Sequence, residues 1–99
     1  MFEIIFTDPA QEDLDQLETN PSKVSLVKQI KKIIGYLQIN PRHPSLQTHE
    51  YHSIPNPILK GEKVFGAYAQ NRTPGAYRVF WCYGPEKKQI TIIAITPHL

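Results

Sequence analysis

Apolar positions along the chain first alternate, then fall on helical stripes, then alternate again. Phe2, Ile4 and Phe6 alternate with Glu3, Ile5 and Thr7, which predicts a strand over residues 2–7. Ala10, Leu14 and Leu17 then recur at i, i+4 and i+7, giving a short helix one apolar face. Asp8 reads as its N-cap, Pro9 as its first helical residue, and Gln11 sits at capping-box distance. Asn20-Pro21 repeats the start signal. A longer helix follows, with Val24, Val27, Ile30, Ile34 and Leu37 on one stripe and Lys23, Lys28, Lys31 and Lys32 mostly on the other side. It ends before Pro41, since the residue preceding a proline avoids helical geometry.

Residues 41–62 read as an irregular segment with Pro41, Pro44, Pro55 and Pro57, and with His43, His49 and His52. So long a loop in so short a chain is functional or mobile. A strand over Lys63–Gln70, a turn at Asn71–Gly75 and a hairpin follow. The hairpin joins Ala76–Tyr83 to Ile90–Leu99 through Gly84-Pro85-Glu86-Lys87-Lys88. The predicted class is α+β in the order β-α-α-β-β-β, one domain over residues 1–99. Two N-terminal helices pack on one face of an antiparallel sheet, and the other face stays open for a ligand. Strand alternation assigns Tyr77, Val79, Trp81 and Tyr83 to the core and Arg78, Phe80 and Cys82 to the open face.

Composition narrows the class further. At 40% hydrophobic and 20% charged residues the chain is ordinary globular material. No stretch approaches the roughly 20 apolar residues of a membrane span. The N-terminus lacks the basic region of a signal peptide. The lone Cys82 forms no internal disulfide and fits a reducing cytoplasm. The net charge of +2 conceals an asymmetry: residues 1–20 carry six acidic side chains and no Lys or Arg, whereas all 11 basic residues lie in 21–99. Such a split favours a polyanionic partner for the basic part. It is equally the pattern of a solvated surface with an acidic first helix favoured by its own dipole.

Three segments resemble the RelE/ParE superfamily of small toxins from type II toxin–antitoxin systems: Phe2-Glu3-Ile4-Ile5-Phe6-Thr7-Asp8-Pro9-Ala10 with Asp13-Leu14, Asn40-Pro41-Arg42-His43-Pro44-Ser45-Leu46 with His49, and Gly75-Ala76-Tyr77-Arg78-Val79 with the strand ending at His98. Their order and spacing carry the likeness across the whole chain. The resemblance implies a cytoplasmic toxin with a cognate antitoxin partner, touching DNA only through an antitoxin complex. RelE-like members are metal-independent endoribonucleases (mRNA interferases) that cleave ribosome-bound mRNA and inhibit translation, with no cofactor. ParE-like members inhibit DNA gyrase without catalysis, and a folded but catalytically degenerate member is a third reading.

Under the RelE-like reading, Arg78 matches the family's strand arginine, a planar fork that stabilises a phosphate as its charge grows. A sheet-surface arginine paired across strands is the plainer alternative. His98 matches the C-terminal histidine of YoeB-like and YafQ-like members, a general acid for the leaving 5′-oxygen, although Leu99 follows where those toxins place an aromatic. His49, Glu50 and His52 are the candidates for the general base. Lys60, Lys63 and Arg72 are the candidates for contact with the RNA backbone. Tyr68, Tyr77 and Trp81 are aromatics of the kind that stack bases, with the core claiming Tyr77 and Trp81 first. His49-x-x-His52 has the spacing of a metal pair, but no Cys or second pair completes a site.

Overall fold

The computed structural model describes residues 1–70 and 75–97. In chain order the elements are β1 (Glu3–Phe6), α1 (Asp8–Glu18), α2 (Val24–Ile39), β2 (His49–Tyr51), β3 (Val64–Tyr68), β4 (Arg78–Tyr83) and β5 (Gln89–Thr96). Short 3-10 turns occupy Pro21–Lys23 and Pro44–Leu46. The α+β class with two N-terminal helices is therefore present. The irregular segment proves less irregular than its prolines imply, because it contains a turn and the edge strand β2.

The strands form one sheet in the order β1-β5-β4-β3-β2. From β2 to β5 it is an antiparallel meander. β1 departs from the expected antiparallel arrangement and joins β5 in parallel, from Glu3 opposite Gln89 to Phe6 opposite Ile92. A parallel pair needs a long crossover, and the whole chain between β1 and β5 supplies it.

Two details of the helices differ from the sequence pattern. Thr7 caps α1 in place of Asp8: its hydroxyl accepts from the Ala10 N–H at 3.2 Å, and Asp8 and Pro9 open the helix. Thr7 keeps the extended backbone of β1, so the cap falls where the strand ends; such a cap contributes about 1 kcal/mol. In α2 the buried stripe is Leu26, Ile30, Ile33 and Leu37. Ile30 and Leu37 belong to both stripes, but the sheet takes the flank with Leu26 and Ile33. Val24 is left 55% exposed, and Val27 and Ile34 form the half-buried rim. The helix ends at Ile39, where Asn40 turns extended ahead of Pro41.

The core has two parts. The larger lies between the helices and the sheet and includes Leu14, Ile30, Leu37, Val79, Trp81, Ile90 and Ile92. Trp81 stacks on Phe65 with ring centroids 4.9 Å apart. The smaller, on the opposite face, consists of Val64, Phe80, Cys82, Ile93 and Ala94, with Tyr51 and Ile54 packed over it. The second face is thus not open along its length, as alternation suggested. The segment after β2 covers it, pinned by Asn56, whose amide oxygen accepts from the Ile58 and Leu59 N–H groups at 2.8 and 2.9 Å. The physical reason is that Phe80, Cys82, Ile93 and Ala94 make this face apolar too, and a face of that kind must be buried.

A bulge explains how Ile93 and Ala94 share one face. Phe80 opposes Ala94 and Trp81 opposes Ile92, leaving Ile93 as the extra residue of β5. Among the described residues, no helix is long and apolar enough to cross a membrane.

Candidate functional site

Arg78 opens β4 and lies between Tyr68 of β3 and Thr96 of β5, its register partners. Beyond the cover over Phe80, its half-buried side chain lies over Tyr68, with the guanidinium carbon 5.0 Å from the ring centroid. A cation over an aromatic face gains about 0.5–2 kcal/mol, and the flat ring also orients the flat fork. Arg78 Nε is buried and has no hydrogen-bond partner among the described residues. Burying a charged donor unpaired is costly, and with no carboxylate paired to it among the described residues the guanidinium suits an anion at its more exposed nitrogens.

His49 completes the group. It lies opposite Gly66 in the register, and its ring packs nearly perpendicular to that of Tyr68, with centroids 5.7 Å apart and planes at 81°. Arg78 and His49 therefore both pack against the ring of Tyr68. Of the three base candidates, the structure brings only His49 to the Arg78 side.

Glu50 and His52 go elsewhere. Glu50 opposes Phe65, which packs in the helix-side core, whereas Tyr51 packs on Phe80 across the sheet. Glu50 is paired with His52 Nδ1 at 3.3 Å and with Lys63 Nζ at 3.4 Å. Such exposed pairs contribute only about 0–1 kcal/mol. The same pairing puts Lys63 beside Glu50, away from Arg78. Lys60 follows Leu59, whose side chain approaches Gly84 at the far end of β4. At about 3.3 Å per residue, β4 carries Gly84 roughly 20 Å along the strand from Arg78, so the Leu59–Lys60 turn belongs to the other end of β4. Arg72 and His98 lie outside the described residues. No group of three His, Cys, Asp or Glu side chains positioned for a metal occurs among the described residues.

Two side chains not singled out from sequence hold the end of β5. β1 covers that strand only as far as Ile92. Beyond it, the Thr7 hydroxyl donates to the Ile93 carbonyl at 2.9 Å, and the Asp13 carboxylate accepts from the Ile95 N–H at 3.0 Å. Helix α1 thereby replaces the missing strand alongside Thr96, the residue opposite Arg78. The sequence carried one signal for this: Asp13, three residues after Ala10 and four before Leu17, is a charge on an apolar helix face.

No family model and no curated protein matches the chain. Solved structures do. A YoeB/ParE toxin from Agrobacterium tumefaciens is 10% identical, with 99% of this chain and 100% of that one covered, at a TM-score of 0.73. The toxin in the YoeB–YefM toxin–antitoxin complex from Staphylococcus aureus is 17% identical, with 100% and 99% covered, at 0.68. The intact E. coli RelBE toxin–antitoxin complex gives 14% identity, 97% and 95% coverage and 0.61. The chain has the RelE/ParE toxin fold. On that fold, the Arg78 group sits at the open end of the sheet surface, flanked by β3 and by the last described residues of the chain.

Proposed function

We propose that this chain is the toxin of a type II toxin–antitoxin system, a RelE/ParE-superfamily endoribonuclease that cleaves ribosome-bound mRNA in the cytoplasm without metal. The observation that carries the reading is the Arg78 guanidinium, held on the Tyr68 ring with a buried, unpartnered Nε and with His49 at the same ring. A phosphodiester supplies the anion such a group lacks.

The chemistry follows from these roles. A ribose 2′-hydroxyl gives its proton to His49 and attacks the adjacent phosphorus. Arg78 stabilises the extra negative charge on the phosphoryl oxygens. The bond to the 5′-oxygen breaks, and that oxygen takes a proton from His98. The products are a 2′,3′-cyclic phosphate and a 5′-hydroxyl. Histidine suits both proton transfers because it titrates near neutrality. Arg72, Lys63 and Lys60 neutralise more distant phosphates.

The partner is a cognate antitoxin. The similar S. aureus and E. coli toxins are each found in a toxin–antitoxin complex. Acidic, apolar segments of such a partner suit the basic and hydrophobic surface of residues 21–99.

The name YoeB/ParE borne by the A. tumefaciens structure favours gyrase inhibition as the second reading. Induction in a bacterial host separates the two. The nuclease reading predicts growth arrest with rapid mRNA cleavage and no SOS response. DNA breaks with SOS induction and intact mRNA overturn it, and harmless expression without an antitoxin marks a degenerate toxin.

A further inference from the structure

A groove of about 890 Å³ lies between α2, the turn near Ser45 and the end of β3. Its α2 wall is a stripe of Ser25, Gln29, Lys32 and Tyr36, at i, i+4, i+7 and i+11, together with Leu26 and Ile33 of the adjoining stripe that enters the core. The other walls include Gln70 and Tyr68. Tyr36 is held from behind by His43, stacked with centroids 4.2 Å apart, and His43 is itself fixed because its Nδ1 accepts from the Ser45 N–H at 3.0 Å. Lys32 is the one charged side chain among the described residues lining the groove.

We infer that this groove binds the unpaired ribonucleotides next to the phosphate held by Arg78, and so sets base preference around the cut; the inference rests on the nuclease reading above. The Gln29 amide carries a paired donor and acceptor that match a base edge, whereas Gln70, whose Oε1 accepts from the Tyr77 N–H at 2.9 Å, offers only its NH2 donors. Lys32, with no carboxylate among the described residues lining the groove, neutralises a phosphate. A braced tyrosine offers a stacking face to any base. Pockets for apolar small molecules are built mainly from hydrophobic side chains, and this stripe is not. From Ser25 to Tyr36 the helix rises about 16 Å, enough for several nucleotides at about 3.4 Å per stacked step. Tyr68 borders the groove at the end of β3 while its ring, on the sheet face away from α2, carries the guanidinium of Arg78, so the nucleotides pass from one site to the other around that end of β3.

The test is a 15N NMR titration of the full chain with a dinucleotide and a trinucleotide whose 2′-hydroxyls are replaced by hydrogen, which blocks attack. The trinucleotide is expected to shift the side-chain amides of Gln29 and Gln70 together with the Arg78 and Tyr68 signals, and the dinucleotide mainly the latter. The double variant Gln29→Ala/Lys32→Ala, at two exposed helix positions, weakens trinucleotide binding about tenfold and leaves the Arg78 shifts in place. Shifts confined to Arg78 and Tyr68 overturn the groove and keep the nuclease reading. Shifts confined to the groove keep the groove and overturn the role given to Arg78. A groove silent to millimolar trinucleotide but shifted by an acidic amphipathic peptide belongs to a protein partner, and the inference fails.

Discussion

The guanidinium carbon of Arg78 lies 5.0 Å from the centroid of the Tyr68 ring, its register partner on the neighbouring strand. The pair is a cross-strand contact of the ordinary kind, yet it leaves Nε buried without a hydrogen-bond partner among the described residues. The ring orients the cation without neutralising it. A carboxylate in place of Tyr68 would compete with a phosphate for the same fork.

Tyr68 therefore acts through its ring face. Tyr68→Phe keeps the face and leaves cleavage within about twofold, whereas Tyr68→Leu loses the cation–π contact and about tenfold in rate. Measuring cleavage by both variants checks this, and equal losses would show that the hydroxyl matters instead.

Asp13 is expected to matter for stability as the acceptor of the Ile95 N–H. Asp13→Ala leaves that donor unmade at a cost of about 1–3 kcal/mol, and Asp13→Asn, which retains an acceptor oxygen, recovers most of it. Urea denaturation midpoints give the cost, and faster amide exchange at Ile95 localises it. An unchanged midpoint for Asp13→Ala would contradict the account.

Much of this was legible in the sequence for a simple reason: the helices and the last hairpin are announced by local periodicity. Arg78 was legible as a charge inside an apolar strand. The features that periodicity does not reveal depend on partners far along the chain. Nothing local distinguishes Thr7 from Asp8 as the cap, because Thr7 is chosen by the strand it ends. The second apolar face was in fact written in Val79-Phe80-Trp81-Cys82 and in Ile92-Ile93-Ala94-Ile95, continuous apolar runs that mark strands buried on both sides. Strict alternation does not hold through them, because the bulge at Ile93 breaks it. Asp13 reaches a residue 82 positions away, and its place on the apolar face of α1 marks it as paired without naming the partner.

Burial pushes the Cys82 thiol up from its ordinary value of 9.0. The folded chain therefore keeps the proton longer than the unfolded chain does. The stabilisation this provides is fully present below pH 9.0 and is lost as pH rises from there through the folded value. The stability difference between the parent and Cys82→Ala should narrow over that alkaline range. A constant difference up to the highest pH at which the protein folds would contradict it. Below that range, iodoacetamide should label Cys82 only on unfolding, because the thiolate is the reactive form.

The most direct measurement is primer extension on an mRNA translated in a cell-free system, with the parent chain, Arg78→Ala and His98→Ala. The account predicts ribosome-dependent cuts within codons for the parent, reduced about 100-fold or more in each variant. Cuts of undiminished strength from Arg78→Ala, or intact mRNA with the parent chain, would contradict it.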